Sequence, residues 1–206
     1  MDKETIYKKV EYLNYHQQLQ FCLFCLDRIS YLYSFYEDIP DEKGNYPNGE
    51  KGRGILVLKS ILEVIKSSNK KPVDAQISIK DIYSIAPAIY GEDECEGGIW
   101  EAVAAMILDA YTYALKFIKD KKNTHLNSCF NFTLDIVNCI AQYHMEDNII
   151  INPEELLIKS APFFENELKI TSRFIELLKE DVNQDLLDKY IADNIITKDG
   201  IRKMLY

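Results

Sequence analysis

No stretch of this sequence approaches the roughly 18 consecutive apolar residues that a membrane-spanning helix needs, which argues against a membrane protein. The first residues, MDKETIYKKVEYLNYHQQ, also lack the apolar centre of a secretory signal. Histidine is scarce: His16, His125 and His144 are the three copies, and none falls in an H-E-x-x-H, an E-x-x-H or any paired ligand spacing. No metal site, cofactor motif or catalytic set is therefore expected. Basic residues are outnumbered, 24 against 33 acids, and the formal charge of -9 opposes binding to nucleic acid or to an anionic lipid surface. A basic protein partner suits that charge better. Cysteine occurs five times, an odd number scattered through apolar segments, which fits reduced thiols used as small core residues and a cytoplasmic location. Cys22 and Cys25 form a C-x-x-C, but inside an apolar run with no second pair, so the core reading is favoured there too.

What remains is helix. Strand alternation hardly appears, whereas steps of three and four recur along most of the chain. Residues 3 to 36 place Ile6, Val10, Leu13, Phe21, Phe24, Ile29 and Leu32 in such a pattern, giving a short helix and then a longer one. IPDEKGNYPNGEKGRG, residues 39 to 54, is a loop by composition. Leu58, Ile61, Leu62 and Ile65 share one face of a third helix, and Pro72 prevents its continuation. Segment 69 to 97 is irregular, with either a short helix near 78 to 84 or a brief extended piece. The helix over 98 to 120 turns Ile99, Ala102, Val103, Met106, Ala110, Tyr113, Ala114 and Phe117 to one side, the expected core face. Its other sides carry Leu108, Tyr111 and Leu115, so neighbours must cover it more than halfway round. Asn123 or Thr124 can cap the next helix, over 125 to 145, with Leu126, Phe130, Thr133, Leu134, Val137, Ala141 and His144 in a stripe. The short turn makes these two helices an antiparallel hairpin. Asn152 and Pro153 start another helix, and Ser160 with Pro162 begins a further one carrying Phe164, Leu168, Thr171, Ile175 and Leu178. Two short helices, DLLDKYIADNI and KDGIRKMLY, close the chain.

Two features could carry function. Glu92, Asp93, Glu94 and Glu96 cluster just before the helix at 98, where negative charge opposes the positive end of the helix dipole. That cluster has no calcium-loop frame, and its glycine-bordered setting is too solvated for acid-base work. It either starts a helix or offers an acidic patch to a basic partner, in which case it sets encounter rate and partner choice. The second feature is tyrosine, 14 copies against one tryptophan, with Tyr31, Tyr33, Phe35 and Tyr36 clustered and Tyr46 in the loop beyond. Tyrosine suits half-buried bundle positions and binding surfaces alike. GNYPNGEKG comes near the phosphate-binding loop pattern but places Glu50 where lysine is required, so the match fails. Arg53, between Gly52 and Gly54 ahead of a helix, leaves anion contact open, with a flexible loop as the default.

The segment YLNYHQQLQFCLFCLDRISYLYSFYED, with Phe21, Leu26, Asp27, Arg28 and Tyr33, resembles the start of the YjaG-like bacterial proteins. ILEVIKS, APAIYGEDE, ILDAYTYAL with Asp109 and Ala110, and EELLIKSAPFFENELKITSRFIELLKE extend the resemblance over most of residues 5 to 180. It implies an all-helical fold of uncharacterised function and supplies no catalytic residues.

The expectation is one all-α domain over residues 1 to 206, a bundle of about seven or eight helices with a central antiparallel hairpin. Its expected function is non-enzymatic: a cytoplasmic binding protein, of the kind represented by immunity-type inhibitors that mask a basic toxin or nuclease. The partner-binding residues would be Glu92, Asp93, Glu94, Glu96, Tyr36 and Tyr46. The alternatives are a homodimeric housekeeping protein joined through an apolar helix face, and a small metal-dependent enzyme using Glu94, Glu101, Asp109 and a histidine.

Overall fold

Asp2 and Asn14 start the first two helices, and each does so by accepting backbone hydrogen bonds that the helix itself cannot satisfy. The Asp2 carboxylate takes the Thr5 N–H at 2.8 Å, opening α1 (Lys3–Glu11). At the head of α2 (Tyr15–Ser30), the Asn14 side chain accepts the Gln17 N–H at 3.0 Å, and Gln17 Oε1 accepts the Asn14 N–H at 3.0 Å. This reciprocal capping box fixes where the most buried helix of the N-terminal half begins. Asn14→Ala is expected to cost about 1 kcal/mol, read as a shift of the urea midpoint with an unchanged slope. A larger loss would mean that the cap also orients Gln17, whose Nε2 donates to the Leu178 carbonyl oxygen at 2.7 Å.

The computed structural model describes residues 2–41, 43–68, 75–87, 98–146 and 153–197, with the side chains of 75–77, 144–146 and 153–159 outside that description. After α2 come a 3-10 turn, Tyr31–Tyr33, and the one-turn α3 (Ser34–Glu37), followed by α4 (Arg53–Ser67) and α5 (Ala75–Tyr83). The long elements are α6 (Ile99–Asp120), α7 (Asn123–Glu146) and α8 (Pro153–Lys179), and α9 (Gln184–Asp193) is the last. There is no strand among the described residues, and eight helices reach nine residues or more, so the fold is all-α as expected. No helix among the described residues is long and apolar enough to cross a membrane.

Lys121, at φ 54°, ends α6 in the left-handed region while its N–H reaches the Phe117 carbonyl oxygen at 2.7 Å. The chain then reverses, and α6 against α7 is the most extensive helix contact in the molecule. On α7 the expected stripe is buried from Leu126 to Ala141; the His144 side chain lies outside the described residues. On α6 the expected face is buried in part: Val103, Ala110, Ala114 and Phe117 are buried, Ala102 is exposed, and Ile99, Met106 and Tyr113 are half-buried. Ala104, Ile107, Leu108, Tyr111 and Leu115 are buried beside it, so the helix is covered more than halfway round as expected. The cause is the number of neighbours: α2, α3, α5 and α7 all contact α6, so the wide apolar arc is decided by where they sit. Tyr111 is held at the centre of that arc by its hydroxyl, which meets Ser30 Oγ, itself donating to the Leu26 carbonyl.

Two local expectations are corrected and one open choice is decided. α8 is continuous through Pro162, with no new start at Ser160. Proline removes one donor, and burial of Phe163, Leu168, Phe174 and Ile175 on the same helix outweighs that loss. Segment 69 to 97 contains α5, resolving the choice there in favour of helix, and α4 begins at Arg53 inside the stretch expected as loop. The expected closing helix KDGIRKMLY lies outside the described residues.

Around these helices runs one continuous hydrophobic core. Its centre is Phe24 stacked on Phe174, with ring centroids 4.1 Å apart and planes at 11°.

Candidate partner-binding surface

Glu92, Asp93, Glu94 and Glu96 lie outside the described residues, so the surface is built from what flanks them. The chain re-enters the description at Gly98, which lines a cleft of about 140 Å3 together with Tyr36, Ile39, Pro47, Trp100 and Glu101. Three stretches that the sequence kept apart thus meet: the end of the tyrosine cluster, the loop after it, and the start of α6. Tyr36 is 7% exposed and packs edge-on to Tyr33 at 5.6 Å. Burial first, and then the Glu101 carboxylate, push its hydroxyl above the ordinary tyrosine range. Tyr46 is half-buried in the adjoining loop, where its carbonyl oxygen accepts the Gly49 N–H at 2.9 Å.

Trp100 stacks on Phe35 at 4.7 Å, and Phe35 meets Tyr31 edge-on at 5.5 Å. Tyr31 and Ile39, 52% and 56% exposed, flank this aromatic row. Phe35 belongs to the aromatic cluster legible in the sequence, whereas Trp100 was passed over. The available signal was the single tryptophan of the chain standing two residues beyond the last glycine pair, at the start of α6.

The loop from 39 to 54 is tied down on the same side. Glu37, 1% exposed, accepts the Gly54 N–H at 2.7 Å and the Ile55 N–H at 3.2 Å, so a carboxylate of this chain fills the N-terminal end of α4. Tyr33 donates its hydroxyl to the Ile85 carbonyl and accepts from Asn48 Nδ2 at 3.2 Å. Arg53 donates to the Asn48 carbonyl oxygen at 3.2 Å, and Lys51 pairs with Asp38 at 3.6 Å. The anion contact left open at Arg53 is therefore internal, with a peptide oxygen in the place of an external ligand.

Of the metal-enzyme alternative, Glu94 and the His144 side chain lie outside the described residues. His125 Nε2 lies 3.3 Å from Asp120 Oδ2 and its ring packs beside Tyr113, away from Glu101 at the other end of α6. Among the described residues no group of three or more His, Cys, Asp or Glu could hold a metal ion. Cys22, Cys25 and Cys129 are buried in the core between α2 and α7. Burial holds the Cys25 thiol well above its ordinary range, and a hydrogen bond with Cys22 does most to hold Cys129 there.

Among solved structures, the crystal structure of a DUF416 family protein from Shewanella baltica OS155 is similar, with a TM-score of 0.61 over 97% of this chain and 92% of that one. Sequence identity is 15%, so the likeness shows the fold. The chain thus has the all-helical fold of a protein from an uncharacterised family. No family model matches the sequence, and no curated protein matches it.

Proposed function

We propose that this chain is a non-enzymatic protein-binding protein whose acid-bearing end takes a basic partner, as an immunity-type inhibitor masks a basic toxin or nuclease. The observation that carries the reading is the cleft at Tyr36 and Trp100, bordered by exposed Tyr31 and Ile39 and adjoining the acidic segment in sequence. At about 140 Å3 it is below the few hundred Å3 typical of small-molecule sites, and it is large enough for one anchoring side chain. Aromatic residues at the centre with charge at the edge is the usual division of labour in such interfaces. The net charge of -9 supports a basic partner. The resemblance to YjaG-like proteins and a cytoplasmic location belong to the same reading, the first supported by the helical fold and the second by buried free thiols.

The test is affinity capture from the source organism's lysate at low and high salt, followed by association kinetics of the captured protein. Converting Glu92, Asp93, Glu94 and Glu96 to lysine should slow association by about tenfold or more at low salt, with the difference shrinking as salt rises. Trp100→Ala should instead speed dissociation. Unchanged association for the charge-reversed variant would reduce the acidic segment to a helix start. An empty capture together with a dimer mass would favour self-association.

A further inference from the structure

A second cleft of about 590 Å3 opens between α2, α4 and α9. This volume is within the range of sites that enclose small organic ligands. Leu19, Leu23, Ile65 and Ile191 give it apolar walls, and all four are buried. Asp27 enters the same cleft from α2, Lys66 from α4 and Asp188 from α9, so three helices each place one charged group on it.

The charges do not balance. Lys66 Nζ is 3.0 Å from Glu63 Oε1 on its own helix, and its charge also acts on Asp27 and Asp188. Asp188 accepts only a neutral hydrogen bond, from Gln184 Nε2 at 2.7 Å, and Gln184 Oε1 is in turn fixed by Gln20 Nε2 at 3.1 Å. Asp27 is half-buried, and no hydrogen bond from a described residue contributes to its titration. Burial pushes its carboxyl above the ordinary range; Lys66 opposes this, and Asp188 and Glu63 add to it. Asp27, Asp188 and Glu63 thus act together on Lys66, on a cleft that His16 also lines, so the carboxylates outnumber the lysine. The surplus charge is negative.

We propose that this cleft binds a small organic cation with an apolar body, its ammonium group between the Asp27 and Asp188 carboxylates and its hydrocarbon against Leu19, Leu23, Ile65 and Ile191. The apolar walls select against a bare inorganic ion, which would keep its hydration shell. The two carboxylates select against a fatty acid or another anion. The site shares no residue with the aromatic cleft at Tyr36, so either reading can fail without the other.

Phenethylammonium chloride is the probe, titrated into the full chain by calorimetry beside neutral 2-phenylethanol and anionic 3-phenylpropionate. The cation should bind with a Kd of about 1 mM or tighter, the alcohol about tenfold more weakly and the carboxylate more weakly still. Asp27→Asn should lose about tenfold in affinity for the cation, and Asp188→Asn, on the exposed rim, should lose less. Because the fold raises the Asp27 carboxyl, its ionisation costs stability as pH rises above the ordinary carboxylate value. Asp27→Asn should therefore keep or raise the thermal midpoint at pH 7, which separates lost binding from lost structure. Should that variant fold poorly, Asp188→Asn supplies the same comparison from an exposed position. Equal binding of the carboxylate, an unchanged affinity in both variants, or no binding of the cation up to about 10 mM would overturn the proposal.

Discussion

Replacing Glu167 with alanine is expected to lower the stability of this protein by about 3–5 kcal/mol, among the largest losses any single truncation should produce. Arg28 is 1% exposed and Glu167 is 3% exposed, and their side chains meet through two parallel hydrogen bonds, the one from Nη2 to Oε2 measuring 2.7 Å. Nε of the same guanidinium donates to the Asn194 carbonyl oxygen at 2.6 Å, and its carbon stands 4.7 Å from the Phe24 ring centroid. Alanine at 167 would leave a buried cation with two nitrogens lacking their acceptors. The cost is then the desolvation of an unpaired charge, which far exceeds the net worth of an intact pair. For a chain of this length each kcal/mol shifts the thermal midpoint by roughly 2–4 °C, so a fall on the order of 10 °C is expected. The paired change Arg28→Met with Glu167→Leu should recover most of that loss, since neither charge then remains to be buried. Urea unfolding of the two single variants and the double one gives the coupling directly. A loss below about 1 kcal/mol for Glu167→Ala would mean that Arg28 swings out through the small opening beside Asn166 and Thr197 and stays hydrated.

Gly54→Ala should cost about 3 kcal/mol, the upper part of the range for overpacking. A Cβ at that position would stand 2.2 Å from Tyr33 Cε1, 2.8 Å from Glu37 Oε2 and 2.9 Å from Asn48 Nδ2. None of these neighbours is free to retreat. Tyr33 is fully buried, with its hydroxyl committed to Ile85 and Asn48, and Glu37 holds the N–H groups that open α4. The change should also loosen the tether of the 39–54 loop, so limited proteolysis within that loop should accelerate along with the loss in urea midpoint. A stable variant with unchanged proteolysis would show that α4 can shift as a unit without losing the Glu37 contacts.

These two positions also mark where sequence reading reaches its limit. Gly44, Gly49 and Gly52 adopt positive φ, and a glycine in a polar loop announces such turns. Gly54 has no such φ and is required by space alone, which depends on residues 17 and 21 positions away and on no local pattern. Arg28 and Glu167 are separated by 139 positions, each standing in an ordinary amphipathic helix, so nothing local pairs them. The α7 stripe was legible because that helix has one apolar side. The α6 face was legible only in part: Val103, Ala110, Ala114 and Phe117 are buried as read, but apolar residues surround the helix and its neighbours bury Ile107, Tyr111 and Leu115 as well. For the site, Tyr36 and Phe35 stand in the aromatic cluster of the sequence and Tyr36 lines the cleft, whereas Trp100 joins them only because the start of α6 meets α3. Asp27 and Arg28 were named only within the family resemblance; the setting of Asp27 was not legible because α4 and α9 complete the cleft that Leu19 and Leu23 of its own helix begin.

Arg28 has one more partner, the Ile196 N–H, which donates to its backbone carbonyl oxygen at 3.0 Å. One residue of α2 thus binds α8 through its charge and the segment after α9 through both its side chain and its main chain. Considered as a sequence of events in time, the second helix emerges from the ribosome long before anything can complete it. At usual synthesis rates of 5–20 residues per second, Arg28 waits on the order of ten seconds for Glu167 and longer for Ile196. Before Glu167 exists, burying Arg28 would strand an unpaired charge, so closing the core over this face of α2 is less favourable before α8 is made than after it.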